Sequence, residues 1–181
     1  MKTLCYRGVP VLGFTAYSGV GKTTTLKKLM PVLRARNLNV AVVKHTHHKF
    51  DVDHPGKDSY ELRESGANQI VVGSHARRAL IMETPQEEAA LLESFLSHLQ
   101  TQLIDIILVE GFRDTSFPKV EINRDVDTSL IASTDPDIIA VITDREDLVH
   151  AVPVKLELND SKRQADFVVE YIRVARQNLQ N

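Results

Sequence analysis

Eight consecutive residues near the N-terminus have the types and spacing of a phosphate-binding loop: Ala16-Tyr-Ser-Gly-Val-Gly-Lys-Thr23. They follow an apolar run and precede a stretch with helical spacing, so loop N–H groups and the positive end of a helix would converge on phosphate oxygens. Gly19 and Gly21 allow backbone conformations and a close approach that a β-carbon would obstruct. The usual pattern begins with glycine, and the small Ala16 is a mild departure from it.

This loop predicts the binding of a nucleoside triphosphate together with Mg²⁺. Lys22 can reach the β and γ phosphates, and Thr23 can offer its hydroxyl to the metal ion. The predicted nucleotide contacts are Ser18, Gly19, Val20, Gly21, Lys22, Thr23 and Thr24.

An acid at the end of a second apolar run would complete this site. The run that begins at Ile104 ends in Glu110, and such a strand commonly brings a carboxylate to the metal ion or to the attacking water. We therefore predict Glu110 as a magnesium residue beside Thr23, and as a catalytic residue beside Lys22. Asp105 lies at the other end of the run, roughly 16 Å away at about 3.3 Å per residue, so its expected role is structural.

A polar segment follows the apolar run that ends at Val43. Because ligands bind at the carboxyl ends of parallel strands, we interpret this segment as an anion and metal switch. Lys44 and Lys57 supply positive charge, Asp51 or Asp53 supplies an acid near Mg²⁺, and Gly56 permits a mobile turn. A solvated polar loop is the simpler alternative. A transition-metal site built from His45 and His47 with either aspartate is another.

The base of the nucleotide must be recognised outside the phosphate loop. The usual guanine motif, Asn-Lys-x-Asp, is absent from the sequence. Asp144 and Asp125 each follow a predicted strand, and an aspartate in such a position could accept two N–H bonds from guanine. Of the two, we favour Asp144.

Apolar runs alternate with stretches of helical spacing, a pattern typical of an α/β sheet. We predict a three-layer P-loop NTPase fold with a mostly parallel sheet, and a single domain over residues 1–181. Segments 68–73 and 77–83 predict an antiparallel hairpin insertion, and Asn37 or Asn39 suits the end of the first helix. The predicted strands are 9–15, 40–43, 69–72, 79–82, 104–109, 120–122, 138–142 and 154–158, and the predicted helices are 22–36, 85–99 and 162–179.

Composition limits the functional classes. The net charge is −2, yet residues 1–60 contain ten Lys or Arg against three Asp, so basic charge is concentrated around the phosphate loop. Aromatic residues make up only 6% of the chain, too few for nucleic-acid stacking platforms, and we expect no nucleic-acid partner. No run approaches the roughly 20 apolar residues of a membrane span. Cys5 is the only cysteine, which fits a reducing, cytoplasmic compartment.

Several segments together resemble the molybdopterin-guanine dinucleotide biosynthesis protein B family. The resemblance covers nearly the whole chain. The segments that carry it are the phosphate loop, Lys44-His-Thr-His-His, Asp51-x-Asp53-x-Pro-Gly-Lys-Asp-Ser59, Glu64-Ser-Gly-Ala67 and Leu108-Val-Glu-Gly-Phe112. It implies a GTP-binding homodimer with weak GTPase activity. Such proteins assist the enzyme that joins GMP to molybdopterin, so the implied partners are that guanylyltransferase and molybdopterin itself.

The resemblance also implies roles for particular residues. The phosphate loop would bind GTP and Mg²⁺, and Glu110 would complete the catalytic side. Lys44, His45, Lys57 and Asp58 would line a second surface for an anionic ligand. A P-loop metabolite kinase is the alternative function, in which Arg77 and Arg78 would close over the γ phosphate as a lid.

Overall fold

The computed structural model describes residues 1–46, 50–84, 91–124, 129–148 and 153–180. The chain divides into two compact units. The main unit comprises Met1–His45 and Leu92–Asn181, and the small unit comprises Thr46–Leu91. The single domain over 1–181 stays a prediction.

Nine strands and four α-helices lie in the described part of the chain. The strands are β1 (Cys5–Tyr6), β2 (Val9–Thr15), β3 (Val40–Lys44), β4 (Gln69–Gly73), β5 (Arg78–Met82), β6 (Ile106–Glu110), β7 (Lys119–Ile122), β8 (Ile138–Thr143) and β9 (Lys155–Glu157). The helices are α1 (Lys22–Ala35), α2 (Asp58–Glu64), α3 (Leu92–Ser97) and α4 (Ser161–Asn178).

A mostly parallel, seven-stranded sheet organises the main unit. Its order is β3-β6-β2-β7-β8-β9, and β1 pairs antiparallel with the start of β2. Every residue of β2 is buried, as an almost wholly apolar strand in the middle of a parallel sheet requires. Because β2, β3, β6, β7 and β8 run in one direction, the segments that follow them lie at the same edge of the sheet.

Alternating residues of the central strands enter two different cores. Leu12 of β2 and Leu108 of β6 pack in one cluster with apolar residues of α1 and α4, whereas Val11 and Ile107 pack in another with Leu92 of α3. This alternation follows from the two-residue period of a strand. Helices therefore cover both faces, and the predicted three-layer α/β P-loop fold is confirmed.

The two longer helices have recognisable ends. Beyond α1, Asn37 has a left-handed backbone (φ 58°), and the N–H of Leu38 donates to the carbonyl of Leu33 at 3.3 Å. Asp160 caps α4 by accepting from the N–H of Arg163 at 2.9 Å. The buried hydroxyl of Tyr171 on α4 donates to the carbonyl of Val11 at 2.6 Å, which ties α4 to β2.

The small unit contains the predicted hairpin as a separate two-stranded sheet. Strands β4 and β5 pair antiparallel from Gln69↔Met82 to Gly73↔Arg78. Ser74 shapes the turn, since its hydroxyl accepts from the N–H groups of Ala76 and Arg77 at 3.2 Å each.

Some predicted boundaries are wrong. The helix predicted over 85–99 does not include Leu91 and ends at Ser97, and residues 85–90 lie outside the described part. The reason is local, because the Ser97 hydroxyl donates to the carbonyl of Ser94 and the next two N–H groups bond three residues back, closing the last turn. Helix α2 is absent from the predicted helices, because it has no buried residue and so lacks the apolar stripe that predicts a helix.

Among the described residues, no helix has the length and apolarity to cross a membrane.

Asp105 has the structural role predicted for it, since it links three segments of the main unit. Its carboxylate accepts from the N–H of Asn39 at 2.9 Å and from Arg176 of α4 at 3.0 Å. The hydrogen bond from Asn39, helped by Arg176, lowers the pKa of the Asp105 carboxyl despite partial burial. A carboxyl with a lowered pKa stabilises the fold above its unfolded-state pKa, and that contribution is lost as pH falls through the folded-state value.

We therefore expect Asp105→Asn to lower the free energy of unfolding by about 1 kcal/mol at pH 7, measured by urea denaturation. The difference from the wild type should begin to shrink below about pH 4, the unfolded-state pKa, and should disappear only below the lowered folded-state pKa. Asp166→Asn is the matched control, because Asp166 also pairs with an arginine but is 62% exposed against 29% for Asp105. Equal stability of Asp105→Asn and wild type at pH 7 would contradict this assignment.

Candidate functional site

The phosphate loop joins the buried end of β2 to the first turn of α1. Gly19 and Gly21 have left-handed backbones, with φ of 79° and 107°, as predicted. Gly21 is the N-cap of α1, so no side chain caps the first turn, and that turn contains no acid. The first N–H groups of the helix therefore have neither an intrahelical partner nor a compensating charge. This arrangement favours an anion.

The predicted loop residues surround one cavity of about 240 Å³. The side chain of Lys22 folds back on the loop, and its Nζ donates to the carbonyls of Ala16 at 3.2 Å and Tyr17 at 3.4 Å. Ser18 is exposed, while Val20 packs against the main core. The cavity is lined by Gly19, Gly21, Lys22, Thr23, Thr24 and Glu110.

Thr23 and Glu110 meet at this cavity although 87 positions separate them. The Thr23 hydroxyl donates to Glu110 Oε1 at 3.1 Å. Parallel pairing of β2 with β6 places Phe14 beside Glu110 and so brings the end of β6 to the loop. A hydroxyl and a buried carboxylate side by side are oxygen ligands of the kind that Mg²⁺ binds, so the two residues fit the ion predicted here.

Lys44 belongs to the same group of side chains. It pairs with Glu110 across β3 and β6, and its Nζ lies 3.3 Å from Glu110 Oε1. The predicted anion-binding lysine therefore adds positive charge at the acidic side of the phosphate loop.

His45 continues β3 into an aromatic cluster. Its ring stacks on Phe112 with centroids 4.6 Å apart, and Phe95 of α3 meets both rings edge-on. The N–H of His45 donates to the carbonyl of Glu110 at 2.9 Å. Gly111 has φ 106°, and a β-carbon there would lie 3.0 Å from the carbonyl oxygen of His45. His45 thus holds the chain where it leaves β6.

Three other predicted site residues lie in the small unit. Lys57 is the N-cap of α2 and Asp58 begins that helix. Asp51 pairs with Arg63 at 3.2 Å, and the same guanidinium also contacts Asp53 and Glu83. The roles proposed for Asp51, Lys57 and Asp58 stay predictions.

The predicted transition-metal alternative involves His47, which lies outside the described residues. Within the described ranges, no three His, Cys, Asp or Glu side chains cluster in a way that could hold a metal ion.

Asp144 directly follows β8 and is exposed at the edge that carries the phosphate loop. The neighbouring Arg145 is held by Asp147 at 2.7 Å and by Asn123 at 3.4 Å, so the backbone beside Asp144 is fixed. Asp125, the other candidate for reading the base, lies outside the described residues.

Three contacts on the phosphate loop were not predicted from the sequence. The guanidinium of Arg124, just beyond β7, lies against Gly21, where a β-carbon would be 3.5 Å from Nη1. The hydroxyl of Tyr17 bonds Ser129 at 3.2 Å, and Arg113 stacks over the Tyr17 ring. The hydrogen bond with Ser129 and, after it, the neighbouring Arg113 lower the pKa of Tyr17. Arg124 follows a strand and so lies at the ligand-binding edge of the sheet, but no local signal indicates its contact with Gly21.

A buried parallel strand that leads through a glycine-containing phosphate loop into a helix, with an acid ending the adjacent strand, defines an α/β P-loop NTPase fold. The family model for molybdopterin guanine dinucleotide synthesis protein B matches residues 11–144. The chain therefore belongs to that family, and the resemblance in the sequence is confirmed.

Individual relatives agree with this assignment. The molybdopterin-guanine dinucleotide biosynthesis adapter protein of Escherichia coli (strain K12) is 45% identical over 174 residues, covering 91% of this chain and 94% of the relative. The protein of the same name from Haemophilus influenzae is 36% identical over 164 residues, covering 91% and 90%. A crystal structure of molybdopterin-guanine biosynthesis protein B gives a TM-score of 0.72 at 26% identity, covering 90% of this chain and 99% of that one.

Gly111 offers a test of how closely the chain packs against His45 where it leaves β6. We expect Gly111→Ala to destabilise the protein by more than a left-handed backbone alone explains, because the new β-carbon would crowd His45. Gly8→Ala is the matched control, since Gly8 also has a positive φ (83°) but nothing lies within 4 Å of its β-carbon position. Urea denaturation should give a loss of about 1 kcal/mol for Gly8→Ala and at least about 1 kcal/mol more for Gly111→Ala. Equal losses would contradict the crowding.

Proposed function

We propose that the protein is a GTP-binding adaptor with weak GTPase activity that assists the attachment of GMP to molybdopterin. The names of its relatives support a role in making the molybdenum cofactor. One observation carries the nucleotide part of the proposal. The Thr23 hydroxyl lies 3.1 Å from Glu110, at a cavity lined by the glycines and the lysine of the phosphate loop.

The groups around this cavity would bind different parts of the nucleotide and its metal ion. The N–H groups of the loop and of the first turn of α1 bind the phosphate chain, and Lys22 neutralises its terminal part. Thr23 and Glu110 would hold Mg²⁺, which supplies charge stabilisation when phosphate is transferred to water. Glu110 also orients the attacking water. Lys44, through its contact with Glu110, adds a positive charge near the terminal phosphate.

The contacts of Glu110 support the proposal of weak hydrolysis. Its Oε1 accepts from both Thr23 and Lys44, so the carboxylate is engaged before any water approaches. A carboxylate oxygen that already accepts from two donors has fewer lone-pair positions left to bind and orient a water molecule. A slow reaction suits a protein whose nucleotide state acts as a timer.

We assign guanine recognition to Asp144. An exposed aspartate can accept two N–H bonds from the guanine edge, a pattern that adenine does not offer. Its position beyond β8, two strands from β2, places it at the phosphate-loop edge but away from Glu110.

The nucleotide state would be relayed to partners through the segment that begins at Lys44. We propose that GTP, through Mg²⁺ held at Glu110, changes the Lys44 contact and so controls how the segment that follows Lys44 engages partners. Lys57 and Asp58 would then take part in binding an anionic ligand such as molybdopterin, or in docking the guanylyltransferase. A homodimer is part of this proposal.

The first test is nucleotide binding by isothermal titration with Mg²⁺. Wild type should bind GTP in preference to ATP, and Lys22→Ala should weaken GTP binding by about a hundredfold, because a charge-assisted contact to phosphate is lost. Lys27→Ala is the matched control, since Lys27 is an exposed lysine on the same helix. Turnover should stay well below one per second, against about 1 to 100 per second for kinases.

A kinase would give different results. It would transfer phosphate to a small acceptor at many turnovers per second, and Arg77→Ala would abolish that transfer. Preferential ATP binding by wild type would overturn the guanine assignment and favour the kinase.

A second test concerns the base. Asp144→Asn should reduce the preference for GTP over ATP by at least about tenfold, because an amide cannot accept both guanine N–H bonds. Glu146→Gln is the control, since Glu146 is an exposed acid two positions from Asp144. Unchanged selectivity in Asp144→Asn would relocate the base site.

A further inference from the structure

The phosphate loop has two unlike flanks. Strand β2 pairs with β6 on one side and with β7 on the other. On the β6 side stand Glu110 and Lys44, in contact with each other and, through Glu110, with Thr23. On the β7 side stands Arg124, two residues beyond the last residue of β7.

Arg124 is placed on the loop itself. A β-carbon on Gly21 would lie 3.5 Å from Nη1 of Arg124 and 3.7 Å from its Cζ, so the guanidinium packs against the loop backbone. The side chain is nonetheless exposed. Within the described ranges, no carboxylate pairs with it. By contrast, Arg145 at the same edge is held by Asp147 and Asn123.

A second contact holds this part of the chain to the loop. Ser129, which follows Arg124 by five positions, bonds the hydroxyl of Tyr17 at 3.2 Å. The chain beyond β7 therefore contacts the phosphate loop at two points, Gly21 and Tyr17. The guanidinium of Arg124 makes the contact with Gly21.

We propose that Arg124 binds the α and β phosphates of the nucleotide. This inference rests on the proposed function, because it requires a nucleotide in the loop. The backbone N–H groups of a phosphate loop cradle the α and β phosphates, whereas the lysine and the metal ion act toward the γ phosphate. Arg124 lies against that backbone, on the flank opposite to Glu110. A planar guanidinium with five donors can bridge two phosphate groups, as lysine cannot.

This placement separates two tasks within one loop. Thr23, Glu110 and Lys44 would distinguish GTP from GDP, because they face the end of the phosphate chain that hydrolysis removes. Arg124 would bind GTP and GDP equally, since both contain the α and β phosphates. It therefore contributes, with the loop N–H groups, to how long GDP stays bound after hydrolysis.

The test compares affinities for GTP and GDP, with Mg²⁺, in wild type, Arg124→Gln and Arg124→Lys. Arg124→Gln keeps a long side chain against Gly21 but removes the charge, so packing is largely preserved. We expect it to weaken GTP and GDP by the same factor, at least about tenfold, as the loss of a charge-assisted hydrogen bond predicts. Arg124→Lys should recover part of the affinity for both nucleotides. Thermal unfolding without nucleotide should not change.

Arg34→Ala is the control for charge alone. Arg34 is exposed on α1, about 18 Å along the helix from Lys22 at 1.5 Å per residue, and its loss should change neither affinity by more than about twofold. If Arg124→Gln weakens GTP but not GDP, the guanidinium acts on the γ phosphate and the proposal is wrong. Unchanged affinities for both nucleotides would also overturn it.

Failure of the proposed function would be recognised separately. It would appear in the wild type, as a preference for ATP or as no nucleotide binding. With ATP and ADP as ligands, Arg124→Gln should still weaken both equally, because the contact is to phosphate and not to the base. A preference for ATP thus overturns only the guanine assignment, whereas absence of nucleotide binding by the wild type overturns both proposals.

Discussion

The parallel pairing of β2 with β6 is the constraint on which the site depends. It aligns Phe14 with Glu110, and in this register the end of one strand meets the loop that leaves the other. A shift of one residue would turn every side chain of β6 to the opposite face and would move Leu108 and Ile107 into the wrong cores. Burial of both strands on both faces makes such a shift costly, so the core itself keeps Thr23 and Glu110 together.

The phosphate loop could be predicted from the sequence because its chemistry is local. Eight adjacent residues contain the glycines, the lysine and the threonine, and the flanking strand and helix have strong periodicity. Glu110 could be predicted because an acid at the end of a buried apolar run lies at the carboxyl edge of the sheet, where ligands bind. The structure confirms the α/β P-loop fold and the hairpin, and it brings Thr23 and Glu110 into contact.

The remainder depends on neighbours that are distant in sequence. Nothing near Arg124 indicates that it lies against Gly21, since that contact is created by the pairing of β2 with β7. Helix α2 has acids in its first turn and Arg63 in its last, a charge pattern that favours a helix, but it lacks a buried face. The ion pairs of Arg63 with Asp51 and Glu83 likewise join residues 12 and 20 positions apart, and no local pattern predicts them.

The hydrogen bond from Tyr171 to Val11 has a consequence for the order in which the protein forms. It joins residues 160 positions apart, and the same hydroxyl accepts from the N–H of Leu4. At a synthesis rate of about 5 to 20 residues per second, Tyr171 is made roughly 8 to 32 s after Val11. Throughout that interval strand β2 exists without helix α4, which will cover it. The nascent chain therefore exposes an apolar strand until its last partner arrives, and this face of the sheet can close only when synthesis is nearly complete.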